Sequence, residues 1–223
     1  MIQNAWELSG SSLYQQERRA QAIVFYLNVK KCDLVLDIGC AEGFITSYLS
    51  DASFVVGLDR SRGSLLIAKK RVTQPNIDFI LADATALPLR VSSFDKVIVP
   101  EVLEHLPKEK QGSLCREVEK VLKDNKVLIV TVPYEEHILY TYCIHCGKAT
   151  PIWGHLCSFN EEKLVTLLSN CFSCDVCCFL PNVRLVSLSR IFQYLPFRIW
   201  LVLNNLLARI NKGYWIILKC RKK

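Results

Sequence analysis

The sequence predicts an α/β fold in which a mostly parallel sheet is covered by helices on both faces. Short apolar segments rich in β-branched residues alternate along the chain with segments whose apolar residues recur at helical spacing. Strands that are apolar throughout are typical of a sheet buried on both faces. The predicted strands are LVLDIGC, SFVVGLD, IDFILAD, FDKVIVPE, KVLIVTVP, CDVCCFL and GYWIILKC.

Helices are expected between these strands. The predicted helices cover residues 12–28, the segment LLIAKKRV, and the regions near 108–122 and 160–169. Two segments interrupt the alternation, about 133–158, which is rich in Cys and His, and 181–212, which is apolar and basic. We interpret both as insertions on a single domain that spans residues 1–223.

The composition is that of an ordinary globular protein. With 223 residues, 51% of them hydrophobic and 22% charged, the chain is too apolar to be disordered and long enough to bury a core. No run of 18 apolar residues predicts a membrane span, and the start MIQNAWELSGSS lacks the pattern of a signal peptide. We therefore expect a cytoplasmic protein, whose 11 cysteines are interpreted as thiols and metal ligands rather than disulfides.

The net charge of +7 is unevenly distributed. No Asp or Glu follows Asp175, while nine Lys and Arg residues do, so the C-terminal part is basic and the rest is close to neutral. Such asymmetry indicates contact with an anionic partner, whether phospholipid, nucleic acid or a phosphorylated substrate.

The segment VLDIGCAEGF contains the strongest functional signal. A predicted buried strand ends at Asp37, and Gly39 and Gly43 allow a tight turn at the carboxyl edge of the sheet, where open α/β folds bind ligands. The next strand ends at Asp59, 20 residues after Gly39, where a carboxylate can bind the hydroxyls of a ribose. The third ends at Asp83, so three carboxylates are predicted along one edge.

These residues carry a family resemblance. The segments DIGCAEG, GLDRS, ADATALPL and SSFDKVIVPEVLEHL resemble class I S-adenosylmethionine-dependent methyltransferases over roughly residues 15–135 and the last strand. The resemblance implies a Rossmann-like sheet of seven strands with an antiparallel terminal strand, and S-adenosylmethionine as cofactor. Ala41 departs from the pattern, because many members have glycine there.

The resemblance also implies a role for each matching residue. The methionine part of the cofactor would lie against Asp37, Gly39, Cys40 and Gly43, the ribose would bind Asp59, and Asp83 with the backbone of Ala84 would contact the adenine. Glu101 would lie beside the methyl group.

The residues at this edge have three other interpretations. A nicotinamide-dependent dehydrogenase would show G-x-G-x-x-G, which is absent here. Asp37, Asp59 and Asp83 could also be turn and N-cap residues. A protein that binds S-adenosylmethionine without transferring its methyl group is a further alternative.

Catalytic candidates follow the fourth predicted strand. In the expected reaction the protein aligns a nucleophile with the methyl carbon, and a hydroxyl nucleophile also needs a base or a metal. Glu101, Glu104 and His105 would share one face of a helix opening after Pro100, with His105 as the candidate base. The E-V-L-E-H segment is similar to one that is frequent in ubiquinone-pathway O-methyltransferases. It also resembles the metal-binding signature of small-RNA 3′-terminal 2′-O-methyltransferases, in which a later His completes the site, and His155 could be that His. The alternative is that Glu104 and His105 only cap and position the helix.

The Cys/His-rich insertion predicts a structural zinc site. Cys143 and Cys146 form a C-x-x-C followed by glycine, and with His155 and Cys157 they provide four ligands within 15 residues. His137 and His145 are substitutes for the last ligand. Pairing with Cys171 and Cys174 is ranked lower, and free thiols in a loop are the alternative without metal.

The basic insertion predicts a substrate lid or a membrane-surface helix. Ile199, Val202, Leu203, Leu206 and Ile210 lie on one helical face, with Arg198, Asn205 and Arg209 on another. Such a helix packs on the core or makes peripheral contact with a membrane through about 185–212. We therefore predict a methyltransferase acting on oxygen or nitrogen of a small-molecule or lipid-linked acceptor, while the charge alone would also suit RNA.

Overall fold

The protein, in a computed structural model, is built around a seven-stranded sheet. The structure describes residues 13–180, 192, 194–208, 210 and 213–223. The sheet strands are β1 Leu34–Ile38, β2 Phe54–Asp59, β3 Ile77–Leu81, β4 Phe94–Pro100, β5 Leu122–Pro133, β8 Phe172–Leu180 and β9 Trp215–Lys222; β6 Tyr140–Tyr142 and β7 Ala149–Pro151 form a separate hairpin. Their order is β3-β2-β1-β4-β5-β9-β8, and β9 is antiparallel to both of its neighbours. The predicted fold class is confirmed.

Helices cover both faces of this sheet. Those in the described part are α1 Leu13–Leu27, α2 Arg62–Arg71, α3 Lys108–Val121, α4 Glu161–Leu168 and α5 Phe197–Leu207. The Ser61 side chain accepts a hydrogen bond from Ser64 N at the start of α2, and Asn160 accepts one from Lys163 N at the start of α4. These N-caps satisfy backbone donors that a helix cannot pair internally. No described helix has the length and apolar character needed to span a bilayer.

The core has two main parts, one on each face of the sheet. Side chains alternate along a strand, so Leu36 and Ile38 of β1 pack beside α3 and α4, whereas Val35 packs beside α1 and α5. Trp200 is the largest fully buried side chain and fixes α5 against the second face. The carboxyl ends of the parallel strands therefore lie side by side along one edge of the packed sheet.

The Cys/His-rich segment leaves the sheet after β5 and returns before α4. Its exposed hairpin carries Cys143 and Cys146, and Ile144 between them is 93% exposed. On the way back, Leu156 N donates to Glu104 O at 2.7 Å. This contact places the segment after β7 beside the turn that follows β4.

Only part of the predicted basic insertion lies in the described chain. Residues 181–191, 193, 209, 211 and 212 lie outside it. In α5 the buried residues are Trp200, Leu201 and Asn204, whereas Ile199, Val202 and Leu206 are exposed. The apolar stripe of this helix therefore does not pack on the core.

One disulfide corrects the expectation that all cysteines are thiols. Cys174 of β8 and Cys220 of β9 are directly opposite in the antiparallel pair and are bonded to each other. The prediction was wrong for these two because it treated each strand alone. Cys174 is consequently not free to join Cys171, Cys143 and Cys146 in a metal site.

Candidate active site

The turn after β1 has the backbone geometry that its glycines predicted. Gly39 and Gly43 have φ of +78° and +76°, and a Cβ on Gly43 would lie 2.9 Å from the Val72 side chain. A Cβ on Gly39 would collide with Val102. Ala41 also has a positive φ, +46°. The turn thus brings bare backbone to the sheet edge, and its two glycines cannot be replaced without displacement.

Asp59 fixes this turn to the next strand. Its Oδ2 accepts a hydrogen bond from Ala41 N at 2.9 Å, and its Oδ1 accepts one from Ser61 N at 2.7 Å. Each carboxylate oxygen has a second lone pair, so the group can still accept hydroxyl donors. Its contact with Ala41 was not expected from the sequence, because it depends on two loops meeting.

Asp83 lies at the end of the adjacent strand β3. Its Oδ1 accepts hydrogen bonds from Thr85 N at 2.8 Å and Thr85 Oγ1 at 2.7 Å, and these bonds hold the pKa of the carboxyl below its usual value. Ala82 N donates to Asp59 O, which couples the two strand ends. The three carboxylates therefore lie at the carboxyl ends of three adjacent strands, as the sequence predicted.

Asp37 is fully buried beneath the turn. Thr46 Oγ1 donates to its Oδ2 at 2.6 Å, and its Oδ1 has no hydrogen-bond partner in the described chain. Burial raises the pKa of Asp37 to about 7; the Thr46 bond opposes this rise, and the charge of Asp59 adds to it. The site thus contains an acid whose second oxygen is left for a ligand.

The raised pKa of Asp37 gives a pH-dependent stability. Above pH 7 the folded protein without ligand carries an ionised, buried Asp37, and this charge lowers the free energy of unfolding because the same carboxylate is solvated in the unfolded chain. Below about pH 4 Asp37 is protonated in both the folded and the unfolded states, so the penalty disappears. We expect Asp37→Asn to raise the free energy of unfolding at pH 8 by up to about 4 kcal/mol. This figure corresponds to about 1.4 kcal/mol for each pH unit between the ordinary pKa of an aspartate and the value of about 7 in the folded protein. The gain should vanish near pH 4.

Urea denaturation at pH 4 and pH 8 measures this difference. Asp78→Asn is the matched control, because Asp78 is exposed on β3 and its replacement should have the same small effect at both pH values. Equal stabilities of wild type and Asp37→Asn at pH 8 would contradict the burial argument.

A cavity of about 890 Å³ lies against the turn. It is bounded by the turn, α1, the end of β4 and the start of the insertion. Its predicted site residues are Asp37, Gly39, Cys40, Glu101, His105 and His155. Gly43, Asp59, Asp83 and Ala84 do not line it but continue along the same strand edge.

Glu101 has partners that the sequence did not reveal. Its Oε1 accepts from Thr131 Oγ1 at 2.9 Å, and its Oε2 accepts from Trp215 Nε1 at 2.6 Å and lies 3.0 Å from the Arg19 guanidinium. Arg19 also lies over the Trp215 ring. Both oxygens are engaged, which fixes the carboxylate at the cavity wall.

The local conformation after β4 corrects the expected helix. Glu101 has φ of +55°, and a single 3-10 turn, Leu103–His105, precedes α3. Pro107, which fixes its own φ, separates the turn from α3 and sits at the N-cap of that helix. Glu101, Glu104 and His105 therefore do not share a helical face, and Glu104 points into the interior.

Glu104, His105 and His155 form a compact cluster. One potential ligand atom from each lies within 4.8 Å of those from the other two, and the two imidazole rings are 4.7 Å apart, edge to face. Glu104 is 1% exposed, and neither of its carboxylate oxygens has a hydrogen-bond partner in the described residues. Burial, followed by the charge of Glu101, raises the pKa of Glu104 well above its usual value.

Both imidazoles of this cluster are oriented by oxygen acceptors. His105 Nδ1 lies 3.2 Å from Gly154 O, and His155 Nδ1 contacts the Glu136 carboxylate. Because these oxygens accept, each Nδ1 donates, and in a neutral ring the lone pair is then on Nε2. Carboxyl or carbonyl partners on the far nitrogen are typical of metal-binding histidines. The pKa of His105 is lowered by burial and then by His155, which favours the neutral ring.

The four residues predicted to bind zinc do not meet. His155 belongs to the cluster with Glu104, Cys157 Sγ lies 3.9 Å from Leu106 O, and Cys143 and Cys146 are exposed on the hairpin. The sequence spacing is compatible with one site, but Cys143 and Cys146 lie in the exposed turn between β6 and β7, whereas His155 and Cys157 lie in the segment that packs beside the turn after β4.

Comparison with known proteins identifies the family. A family model described as a methyltransferase domain matches residues 35–125. A demethylmenaquinone methyltransferase of Renibacterium salmoninarum is 34% identical over 160 residues, which cover 70% of this chain and 66% of that protein. The chain spans 66%, 47% and 40% of the lengths of three curated relatives that it matches.

Solved structures agree on the fold. An S-adenosylmethionine-dependent methyltransferase of Mesorhizobium loti has a TM-score of 0.66 at 18% identity and covers 92% of this chain and 97% of its own. A DhpI complex with SAH has a TM-score of 0.66 at 18% identity and covers 98% and 91%. At this identity the likeness concerns the fold alone.

The chain belongs to the class I S-adenosylmethionine-dependent methyltransferases. The resemblance seen in its strand-end motifs is thereby confirmed, and the dehydrogenase alternative is excluded. The sites of individual ligands within the methyltransferase stay predictions.

The cavity of this methyltransferase fits S-adenosylmethionine, the family's cofactor, on two observations. Gly39, which has no side chain, lines the cavity, and the buried Asp37, also among the lining residues, has a carboxylate oxygen without a hydrogen-bond partner in the described residues. The acidic residues lining the cavity are Asp37, Glu42, Glu101, Glu135 and Glu136, against Arg19 and Arg71. Such a wall suits a cationic sulfonium and ammonium.

Proposed function

We propose that the chain transfers the methyl group of S-adenosylmethionine to an oxygen or nitrogen atom of a small-molecule or lipid-linked acceptor. The observation that carries this proposal is the 890 Å³ cavity in which the glycine turn and the histidine pair meet. Its volume falls within the range of small-ligand sites, and it is lined both by the glycine turn and by His105 and His155. The similarity to a demethylmenaquinone methyltransferase supports a small acceptor.

The chain's residues would act by binding and orientation. The bound cofactor supplies an activated methyl group with its own leaving group, so the protein needs no covalent nucleophile. Glu101, held by Arg19 and Trp215, forms a fixed anionic wall near the end of β4. His105, with Nδ1 donating to Gly154 O, keeps Nε2 available to take a proton from the acceptor.

A second candidate is 2′-O-methylation of RNA. The observation in its favour is the cluster of Glu104, His105 and His155, whose unpartnered carboxylate and two Nε2 atoms are a donor set suited to a divalent cation. Such an ion would lower the pKa of a hydroxyl bound to it. The cluster favours an oxygen acceptor and does not by itself select RNA over a small alcohol.

Transfer of labelled methyl groups tests the proposed function. Purified protein is incubated with a cell extract and methyl-labelled S-adenosylmethionine, and the products are separated into lipid, small-molecule, RNA and protein fractions. Label in the lipid or small-molecule fraction is the expected result, and label in RNA selects the second candidate. Absence of label from every fraction, with intact cofactor binding, would leave only the non-catalytic binding protein.

A further inference from the structure

The outer face of α5 is apolar and exposed. Ile199, Val202 and Leu206 recur at helical spacing and are 53%, 59% and 51% exposed, and Ile210 and Tyr194 beyond the ends of the helix are also exposed. We call these five residues the α5 stripe. A stripe of this kind on the surface of a protein is a signature of an interaction site.

The exposure of the α5 stripe is built into the fold. On the inner side of α5, Trp200 is fully buried and lies beneath the Arg18 guanidinium, 5.3 Å from its ring centroid. Asn204 Nδ2 donates to Phe179 O at 2.7 Å, and Arg18 donates to Leu195 O at 2.7 Å. Since these contacts fix the rotation of the helix, the stripe cannot turn inwards without breaking them.

Lysines lie on the same side of the sheet. Lys96 precedes Ile98 by two residues on β4, and Lys219 follows Ile217 by two residues on β9, so both share the face that α1 and α5 cover. Burial lowers the pKa of Lys96, and the charges of Lys219, Lys126 and Lys30 lower it further against the opposing charge of Asp33. These lysines are therefore close enough to repel one another.

The sequence adds charge of the same sign. Between residues 176 and 223 there are nine Lys and Arg residues and no Asp or Glu, and Arg198 on α5 is exposed beside the stripe. An apolar helix face in a segment whose charged residues are all basic is the composition of helices that lie in the interface of an anionic bilayer.

We propose that the α5 stripe docks on the surface of an anionic phospholipid bilayer, with the apolar side chains entering the headgroup boundary and Arg198 and the other basic residues of the C-terminal segment attracted to the lipid phosphates. A second copy of this chain fits less well, because a symmetric contact through this face would bring like charges together. RNA could bind the basic residues, but it would leave the apolar side chains of the α5 stripe exposed to water. Docking would bring the active site to a lipid-linked acceptor in the bilayer, and this part of the proposal rests on the proposed function.

Co-sedimentation with vesicles tests the docking. We expect the wild type to bind vesicles of phosphatidylcholine with phosphatidylglycerol, to bind pure phosphatidylcholine weakly, and to lose binding as salt rises. Val202→Asp should lower the partition coefficient by about tenfold or more. Val91→Asp is the matched control, because Val91 is 64% exposed and lies next to residues bonded to the end of α3, on the opposite face. It should bind like the wild type.

Each outcome is decisive. Absence of wild-type binding to anionic vesicles, or equal binding by Val202→Asp, would overturn the proposal. A wild-type dimer that Val202→Asp dissociates would assign the stripe to a second copy instead. Titration of both variants with S-adenosylmethionine separates the two proposals, since loss of vesicle binding with intact cofactor affinity concerns docking alone. A wild type that binds vesicles but not the cofactor would refute the proposed function and leave the docking standing.

Discussion

Replacing Gly39 with valine is expected to weaken the binding of S-adenosylmethionine by about a hundredfold or more, roughly 3 kcal/mol. Two effects combine at this position. A β-branched residue at φ of +78° is strained, and its Cβ would collide with the Val102 side chain on the other side of the turn. The turn would have to move towards the cavity, where the cofactor is predicted to lie. Isothermal titration calorimetry measures the change in affinity.

Gly147→Val separates backbone strain from the loss of the site. Gly147 has a similar φ, +67°, but no atom lies within 4 Å of the position its Cβ would take. We expect this variant to keep the wild-type affinity. If Gly39→Val binds the cofactor as tightly as Gly147→Val does, the turn is not part of the cofactor site. Circular dichroism of both variants checks that the fold is retained.

If the cluster binds a divalent metal, as the second candidate function requires, replacing Glu104 with alanine is expected to remove it, from close to one ion per chain to almost none. Glu104 is buried and has no hydrogen-bond donor among the described residues, and its raised pKa keeps it protonated without a ligand, so a cation would replace that proton and balance the carboxylate. Without that anionic ligand, His105 and His155 provide two neutral donors, which hold a divalent ion weakly. Metal content is measured by inductively coupled plasma mass spectrometry.

A double variant with Cys143→Ser and Cys146→Ser is the comparison for this experiment. Its cysteines are exposed on the hairpin and remote from the cluster, so it should keep the metal. Metal lost from the cysteine variant and kept in Glu104→Ala would restore the zinc site predicted from the sequence. A wild type without metal would contradict the metal role of the cluster and favour His105 as a base.

The sequence predicted those features that depend on local patterns. Apolar runs bounded by turn residues marked the strands, and the acids at positions 37, 59 and 83 lie in the last residues of β1 and β2 and just after β3. Parallel strands in one sheet end at one edge, so their convergence needed no knowledge of side-chain contacts. The positive φ values of Gly39 and Gly43 follow from the same logic, because a turn so tight needs residues without a Cβ.

What the sequence did not reveal depends on contacts between distant elements. Glu101 is held by Arg19 of α1 and Trp215 of β9, which are 82 and 114 residues away, and no short motif links them. The bond between Cys174 and Cys220 likewise requires the register of β8 against β9. His155 was assigned to the cysteines by spacing, whereas the path of the hairpin brings it to Glu104 and Glu136.

Calorimetric titration of the wild type and of Asp59→Ala with S-adenosylmethionine examines whether the three strand ends form the cofactor site. We predict one cofactor per chain for the wild type and an affinity lower by about tenfold to a hundredfold for Asp59→Ala, because the variant loses both a ribose acceptor and the hydrogen bond from Ala41 N. Asp59→Asn, which keeps one acceptor oxygen, should fall between them. No heat of binding for the wild type, or equal affinities for wild type and Asp59→Ala, would contradict this assignment.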